Sequence, residues 1–476
     1  SIFSLLPGKH ENNEAFYLIE EAKKLTLGDI ENILSRRRRN SNDHVATTMF
    51  TSGSSGLPKG VSFSVYNIVT KRFARAAALP EVGNVTFLCY LPLYHTFGRY
   101  LELTGSIFWH GTYVFAGNTS AETLLALFPK VNPTGFISIP LRWQELYERC
   151  LEKTSSIESQ ELKVRAIRDV IGYRLHWGLS AAGYLDPSVF RFFNQYGIRL
   201  NSGFGMTEAT GGITMTPPGA YVDGSVGIPL PGVMTRLTAD KELEISGHYI
   251  GRYLGDAPPE GSIPRPESPE KDWWLSTGDV FRISRNGYYE IVDRVKDIYK
   301  NNRGQTVAPQ IIEKKFNRVP GIKNVFLVGD NRPYNVLLIV PDKSGSLYAS
   351  LKGGNLKEYY HQIVMAANAD VAPFERVINF TLVDREFSIE KGELTAKKSY
   401  NRKVIESHFK EVIESLYQSN FVHIECPDFS IIIPKWFFRD LGILEQDICY
   451  RKSGLVNKRS NKTLIVKRVK NGLVRI

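Results

Sequence analysis

The sequence predicts an α/β protein whose mainly parallel β-sheet is covered by helices on both faces. Short apolar runs, typical of buried parallel strands, occur at residues 85–91, 112–116 and 135–140. Stretches of helical composition alternate with them, among them residues 65–78, which contain neither glycine nor proline. Because the chain has 476 residues, we expect two or more domains, and two further strand-like runs at 325–329 and 336–340 predict a smaller α/β unit.

The composition is typical of a soluble globular protein, with 42% hydrophobic and 23% charged residues. The sequence contains no run of eighteen apolar residues, so it predicts no membrane span. Residues 1–8 lack the basic lead of a signal peptide. The four cysteines are scattered without a Cys-x-x-Cys pair, which indicates reduced thiols. We therefore predict a cytoplasmic protein.

The net charge of +11 is concentrated in two segments. One is the block Arg36–Arg39, and the other runs from Cys449 to Ile476, where nine Lys or Arg residues occur without an acid. Such a segment is either a solvated face or a contact with anionic lipid or a nucleotide-bearing partner, so peripheral membrane association is an alternative to a purely cytoplasmic location. Aromatic residues are not interleaved with these charges, and we expect no nucleic-acid partner.

The segment TSGSSGLPKG, Thr51–Gly60, has the chemistry of a phosphate-binding loop. Glycines allow backbone N–H groups to turn toward a ligand, hydroxyls add donors, and Lys59 adds a positive charge. It is not a Walker loop, because Lys59 follows Pro58 where that motif requires glycine. Composition alone would fit a surface Gly/Ser loop equally well.

The order of residues in this loop resembles that of the acyl-adenylate-forming enzymes, the family of acyl-CoA synthetases and luciferases. Further matches follow in the family's order, including Asn201–Glu208 and Trp274–Asp279, and the resemblance covers residues 44–415. Residues 91–148 are similar to the long-chain acyl-CoA synthetase branch. The resemblance implies a large mixed α/β adenylation domain at 1–295 with a short N-terminal part, a smaller α/β lid domain at 296–415, and a basic extension of unknown role at 420–476.

The resemblance also implies functions for single residues. Thr207 would bond the α-phosphate, His95 would lie near the reacting carboxylate, and Lys296 would be the hinge before the lid. Glu208 and Ser54 would hold Mg²⁺, for which carboxylate and hydroxyl oxygens are suitable ligands. The residues assigned to nucleotide binding are Thr51, Ser52, Gly53, Ser54, Ser55, Gly56, Lys59, Ala182, Gly183, Phe204, Gly205, Asp279 and Arg294.

Two of these residues have chemistry that can be stated separately. Phe204 stands where the family has tyrosine, which keeps a ring face for the adenine and loses a hydroxyl. Asp279 follows a strand-like run, and its carboxylate can accept two hydrogen bonds from a ribose diol.

The family also brings a lysine from the lid onto the α-phosphate and the acyl carboxylate. The matching segment here is Gly392–Arg402, in which the commonest position of that lysine is Ser399. We favour Lys397 for the catalytic role, with Lys398 or an impaired enzyme as alternatives.

The resemblance implies a ligase that forms a carbon–sulfur bond. ATP and a carboxylic acid, most simply a fatty acid, would give an acyl-adenylate and pyrophosphate, with coenzyme A as the acceptor. The alternatives are transfer to the phosphopantetheine of a carrier protein, and a nucleotide- or acyl-binding module without catalysis. The implied cofactors are ATP, Mg²⁺ and coenzyme A.

Overall fold

The computed structural model divides the chain into two compact units. Unit 1 contains residues 1–236, 244–277 and 283–290, and unit 2 contains residues 237–243, 278–282 and 291–476. The predicted domain boundaries near 295 and 415 stay a prediction. The structure describes residues 3–4, 16–17, 24–38, 41–52, 58–79, 85–254, 274–351, 356–395, 399–418, 421–426, 430–451, 454–458, 460–465, 467–468 and 474–475.

The strands of the first part of the chain are β1 (Phe3–Ser4), β2 (Phe16–Tyr17), β3 (Val45–Ser52), β4 (Pro58–Ser64), β5 (Thr86–Cys89), β6 (Thr112–Phe115), β7 (Gly135–Ser138), β8 (Trp177–Ser180), β9 (Arg199–Met206), β10 (Gly211–Met215), β11 (Ile228–Pro229), β12 (Met234–Leu237), β13 (Glu242–Ser246), β14 (Arg252–Tyr253), β15 (Leu275–Ile283) and β16 (Tyr289–Arg294). The helices are α1 (Leu27–Arg38), α2 (Val65–Ala78), α3 (Thr104–Phe108), α4 (Ala121–Val131), α5 (Pro140–Thr154), α6 (Gln160–Ile171) and α7 (Pro187–Gln195), with a π-helical segment at Phe97–Leu103.

The central sheet of unit 1 has seven strands in the order β11-β10-β9-β8-β7-β5-β6. The five neighbouring strands β9, β8, β7, β5 and β6 are parallel, whereas β10 pairs antiparallel with β9. Every residue of β7 and β8 is buried, as expected for parallel strands with helices on both faces. The α/β fold class predicted from alternating strand-like and helical runs is confirmed.

A smaller sheet of unit 1, in the order β14-β4-β3, carries the predicted phosphate loop. Met49, Val61, Phe63 and Tyr100 bury one of its faces. The following helix, α2, begins at a capping box in which the Ser64 hydroxyl accepts from the Asn67 N–H and the Asn67 side chain accepts from the Ser64 N–H. The loop strand and the helix after it are therefore joined without a flexible connection.

The rest of the chain contains the strands β17 (Tyr299–Lys300), β18 (Thr306–Val307), β19 (Ile322–Val328), β20 (Asn335–Pro341), β21 (Val377–Leu382), β22 (Phe421–Glu425), β23 (Ser430–Pro434), β24 (Ile448–Arg451), β25 (Gly454–Asn457), β26 (Thr463–Ile465), β27 (Lys467–Arg468) and β28 (Val474–Arg475). Its helices are α8 (Pro309–Lys314), α9 (Ser346–Leu351), α10 (Leu356–Asn368), α11 (Arg402–His408), α12 (Lys410–Tyr417) and α13 (Lys435–Leu441).

Unit 2 is built on the three-stranded sheet β19-β20-β21, which is buried on both faces. Alternate residues of β20 point to opposite faces of the sheet. Leu337 and Ile339 lie on the face that packs against α8 and α10. Val336 and Leu338 pack with α11, α12 and the C-terminal tail. The tail contributes Val422, Ile431, Ile433, Phe438, Ile443 and Leu455 to that cluster. Residues beyond 420 therefore share a core with the small sheet.

Polar contacts also attach the tail to this sheet and its helices. The buried His361 on α10 lies 2.8 Å from Asp447 through Nε2, and Arg376 donates to the carbonyl oxygens of Arg439 and Asp440 at 2.9 Å. Among the described residues, no helix combines the length and apolar composition that crossing a bilayer requires.

Candidate active site

The phosphate-loop candidate connects two strands that are paired up to its edges. Thr51 lies opposite Lys59, Ser52 lies opposite Pro58, and the Thr51 hydroxyl donates to the Lys59 carbonyl at 3.4 Å. Four predicted residues, Gly53, Ser54, Ser55 and Gly56, lie outside the described residues. The described part of the hairpin thus positions Lys59 directly beside the loop.

A second group of candidates follows the carboxyl ends of strands in the central sheet. His95 follows β5, Ala182 and Gly183 follow β8, and Phe204 and Gly205 lie in the last part of β9. Because β5, β8 and β9 run parallel within this sheet, their carboxyl ends point to the same edge. Ligands of open α/β sheets bind outside that edge, so this arrangement supports a site there.

Glu208 lies in a tight turn that continues from β9. Thr207–Ala209 form one turn of 3₁₀ helix, and the chain returns antiparallel as β10. A Cβ atom on Gly205 would lie 2.2 Å from the Gly211 oxygen, so only glycine permits this close return. The short connection places Thr207 and Glu208 at the tip of the β9–β10 hairpin.

Two buried cations from α2 hold the residues that follow Glu208. Lys71 Nζ donates to the Gly212 oxygen at 2.6 Å and lies 3.5 Å from the centre of the Tyr249 ring. Arg75 donates to the Thr210 oxygen and, at 3.2 Å, to the Tyr100 oxygen. Burial, reinforced by the charge of Arg75, lowers the pKa of Lys71 well below its ordinary value. The sequence predicted α2 but not this supporting role.

Tyr253 connects Glu208 with Lys59, and sequence reasoning missed it. The Tyr253 hydroxyl donates to Glu208 Oε1 at 2.8 Å, and Lys59 Nζ lies 5.5 Å from the centre of the Tyr253 ring. The only sequence signal was an aromatic residue before the polar segment 255–273, which carries no motif of its own.

His95 is held in one tautomer by its own turn. The Phe97 N–H donates to His95 Nδ1 at 3.3 Å, so a neutral imidazole carries its proton on Nε2. Arg99 fastens the turn by donating to the Leu93 oxygen at 2.7 Å and to the Thr47 hydroxyl on β3. His95 is half-buried and could donate a hydrogen bond to a carboxylate.

Asp279 and Arg294 are brought together within unit 2. Arg294 Nε lies 2.7 Å from Asp279 Oδ1, with the carboxylate buried and the guanidinium about half exposed. Burial raises the pKa of Asp279 to about 6, against the opposing effect of Arg294. Since the ionised carboxylate is the stronger acceptor for the two hydroxyls of a diol, a ribose role would weaken below that pH. Lys296 lies in the exposed turn two residues after Arg294.

The described residues on either side of the lid-lysine candidates, Thr395 and Ser399, contact each other. The Thr395 N–H donates to the Ser399 oxygen at 2.9 Å, and the two hydroxyls lie 2.7 Å apart. Residues 396–398, which include Lys397 and Lys398, lie outside the described residues. After this segment, Arg402 donates two hydrogen bonds to buried Glu313, at 2.7 and 2.6 Å.

Buried Glu393 anchors the start of the same segment. It accepts from Arg385 at 2.8 and 2.5 Å and from the Ser388 N–H at 3.0 Å, and it lies 2.8 Å from His408 Nδ1. The hydrogen bonds from Arg385, together with those from His408 and Ser388, lower the pKa of Glu393 to about 2.

Replacing Glu393 by glutamine is expected to lower the free energy of unfolding by about 2 kcal/mol at neutral pH, because Arg385 and His408 lose an anionic partner. Since the pKa of the folded state lies below its ordinary value of 4.5, the stabilisation is complete above that pH and is lost as pH falls toward 2. Urea unfolding of both proteins from pH 7 to pH 3 should show the difference shrinking. Exposed Glu390→Gln is the matched control, and a pH-independent difference would contradict the prediction.

Beside the phosphate-loop hairpin, the described carboxylate that could bind Mg²⁺ is that of Glu208. No group of three or more His, Cys, Asp or Glu side chains in the described part of the chain could hold a metal ion. Mg²⁺ commonly takes one or two carboxylates and completes its octahedron with phosphate oxygens and water, so Glu208 with a bound triphosphate fits this cation. Ser54, the second predicted ligand, lies outside the described residues.

Together, the hairpin, the β9–β10 turn and the parallel sheet edge have the arrangement expected of a nucleotide site in an α/β protein. Residues 8–249 match the family described as AMP-binding enzyme, and residues 296–420 match the AMP-binding enzyme C-terminal domain. The chain belongs to the AMP-binding enzyme family, as the sequence resemblance predicted.

Similar proteins include long-chain fatty-acid–CoA ligases. The human long-chain-fatty-acid–CoA ligase 1 is 26% identical over 430 residues, covering 79% of this chain and 61% of the ligase. The peroxisomal long chain acyl-CoA synthetase 6 of Arabidopsis thaliana is also 26% identical with the same coverage, and the rat long-chain-fatty-acid–CoA ligase 5 is 27% identical over 83% of this chain and 66% of its own length. The chain thus spans 61% of the length of the human and Arabidopsis proteins. These similarities support the predicted long-chain branch.

Solved structures confirm the adenylate-forming fold. The O-succinylbenzoate coenzyme A synthetase of Bacillus subtilis, in complex with ATP and magnesium, superposes with a TM-score of 0.58 at 20% identity, over 76% of this chain and 70% of that one. ATP-bound MatB from Rhodopseudomonas palustris gives a TM-score of 0.59 at 21% identity, over 78% and 70% of the two chains.

Proposed function

We propose that this protein activates a fatty acid with ATP and transfers the acyl group to coenzyme A. The observation that carries the proposal is that Lys59 and Glu208 both lie against one residue, Tyr253, beside the phosphate-loop hairpin. A cation and a carboxylate held beside a glycine-rich loop suit a magnesium triphosphate, because the cation binds phosphate oxygens and the carboxylate binds the metal.

In the first step, a carboxylate oxygen of the acid attacks the α-phosphorus of ATP. The bond between that phosphorus and the bridging oxygen of the β-phosphate breaks, and pyrophosphate leaves with the electron pair. Lys59 would bind the departing phosphates, Thr207 would bond an α-phosphate oxygen, and the His95 Nε2–H would orient the carboxylate. Mg²⁺ on Glu208 would neutralise phosphate charge.

In the second step, the thiolate of coenzyme A attacks the acyl carbon and AMP leaves. Asp279 and Arg294 would hold the ribose and phosphate of the adenylate, and the turn with Lys296 would absorb the rotation of the lid between the two steps. Lys397 is our candidate for the lid lysine that acts in the first step.

The choice of a fatty acid is supported by the relatives, which are named as long-chain fatty-acid–CoA ligases. Transfer to a carrier protein is the alternative to coenzyme A. Contact with anionic membranes also stays a prediction, for which the exposed side chains of Arg451, Lys458 and Lys462 provide positive charge.

ATP–pyrophosphate exchange with a series of acids from acetate to palmitate tests the proposal. We expect exchange that depends on the acid and increases with chain length, followed by an acyl-CoA product detectable by mass spectrometry. Absence of exchange with every acid would refute the enzymatic function. Acetate as the best substrate would refute the fatty-acid assignment, and exchange without acyl-CoA would favour a carrier protein.

A further inference from the structure

The aromatic side chain of Tyr253 lies between two groups with complementary charges and contacts both. Its hydroxyl donates to Glu208 Oε1 at 2.8 Å, while its ring faces the Lys59 ammonium at 5.5 Å from the ring centre. The distance to Lys59 is within the range of about 6 Å over which a ring face attracts a cation. A single residue therefore touches both the candidate metal ligand and the candidate phosphate-binding lysine.

The backbone of Tyr253 is tied to the same two elements. Strand β14 pairs antiparallel with β4, with Tyr253 opposite Val61, and the Leu254 N–H donates to the Gly60 oxygen at 2.8 Å. On the other side, the Gly251 N–H donates to the Glu208 backbone oxygen at 2.8 Å. The strand thus joins the outgoing strand of the phosphate loop to the turn that carries Glu208.

Close packing leaves this strand little freedom to shift. A Cβ atom on Gly251 would lie 2.5 Å from Phe63 Cε1, and one on Gly60 would lie 2.6 Å from Leu254 Cδ1. Glycine at position 251 allows β14 to approach the sheet closely, because the ring of Phe63 is fully buried, whereas the exposed Leu254 side chain could move aside. Tyr253 consequently projects from a backbone whose position is determined on both sides.

The hydroxyl contact orients the carboxylate chemically as well. A phenol that donates to Oε1 directs that oxygen of Glu208 to the tyrosine. This contact holds Oε1 at the tyrosine and restricts the rotamers that the Glu208 side chain can adopt. An oriented anionic oxygen binds Mg²⁺ with less loss of rotamer entropy than a mobile one.

We propose that Tyr253 is a positioning residue that orients Glu208 toward the nucleotide-bound cation and supports the Lys59 ammonium beside the phosphates. This role rests on the proposed function, because it requires a magnesium nucleotide at the loop. It divides into two separable contributions, one from the hydroxyl and one from the ring.

Two substitutions separate these contributions. Tyr253→Phe removes the hydroxyl and keeps the ring, whereas Tyr253→Leu removes both. The control is Tyr288→Phe, which removes a hydroxyl that donates to the Ala220 oxygen at 3.0 Å in the same unit. Mn²⁺ binding in the presence of a non-hydrolysable ATP analogue, measured by electron paramagnetic resonance, reports the site without requiring turnover.

We expect Y253F to weaken Mn²⁺ binding about tenfold, with the affinity for the nucleotide without metal nearly unchanged. Y253L should weaken metal binding similarly and should also weaken nucleotide binding by about threefold, since Lys59 loses its aromatic contact. In the exchange reaction, Y253F should raise the half-saturating Mg²⁺ concentration without changing the KM for the acid. Y288F should behave as the wild type.

Three other outcomes would contradict the positioning role of Tyr253. Mn²⁺ binding by Y253F equal to that of the wild type would show that the hydroxyl does not orient Glu208. If Y253F lowers the affinity for Mn²⁺, the affinity for the nucleotide and the thermal stability together, the role of Tyr253 is structural only. A wild-type protein that binds no Mn²⁺ with the analogue would refute the proposed function and this role together, and that failure is visible before any variant is made.

Discussion

Replacing Glu208 by glutamine is expected to lower acid-dependent ATP–pyrophosphate exchange by about a hundredfold or more. The amide has nearly the same shape and its oxygen can still accept from the Tyr253 hydroxyl, so the fold around the β9–β10 turn should persist. It lacks the negative charge that makes an oxygen a good ligand for Mg²⁺. The loss should therefore appear in both the maximal rate and the Mg²⁺ dependence.

Initial rates over a range of Mg²⁺ concentrations, at saturating ATP and acid, measure this effect. Glu158→Gln removes an equal charge from an exposed position on unit 1 and should leave the rate unchanged. Thermal unfolding of E208Q within about 2 °C of the wild type would show that the fold is intact, since a loss of about 1 kcal/mol lowers the midpoint by roughly 2 °C in a unit of this size. Exchange by E208Q within threefold of the wild type would remove Glu208 from the metal site.

The second large effect concerns the lid lysine. Lys397→Ala is expected to lower the rate of exchange by about a hundredfold, because a positive charge on the α-phosphate and the carboxylate is lost in the step where two anions meet. Lys398→Ala should have a small effect. Ser399→Lys should raise the exchange rate, because position 399 is where the family most commonly has its lid lysine.

Transfer of the acyl group from a chemically prepared acyl-adenylate to coenzyme A separates the two steps. We expect K397A to perform this transfer nearly as well as the wild type, because the lysine acts before the adenylate exists. Lys391→Ala, at an exposed position before Glu393, is the matched control. A large loss in K398A with K397A unaffected would reverse the assignment, and full activity in both would show that neither lysine serves the first step.

Much of the fold could be predicted because local patterns had a single structural solution. The buried strands β5 and β7 were predicted from short apolar runs, and α2 was predicted as a helix because residues 65–78 lack glycine and proline. The predicted strand pair of the small unit is observed as β19 and β20. These elements depend on hydrophobic pattern and backbone propensity, which are properties of contiguous residues.

The candidate site was predicted only where its residues lie in contiguous motifs. Lys59 and Glu208 stand in segments with a recognisable order, and the roles assigned to them stay predictions. Tyr253 and Lys71 stand in segments without such order, although they contact Glu208 and the turn that follows it. Their function depends on contacts between residues distant in the chain, which no local pattern encodes.

The C-terminal tail shows the same limit on the scale of a whole segment. Its sequence was basic and matched no motif, yet Val422, Ile433 and Phe438 complete the hydrophobic cluster on one face of the β19-β20-β21 sheet. An apolar residue in a short strand does not identify the surface that it will bury.

The sequence by itself determined the fold class, the family and the order of the nucleotide-binding motifs, because each depends on residues adjacent in the chain. Only the tertiary structure decided that Tyr253 lies between Glu208 and Lys59, that Asp279 is buried against Arg294, and that the tail shares a core with the small sheet. Those arrangements depend on which strands pair and which faces pack, and both are settled by long-range burial.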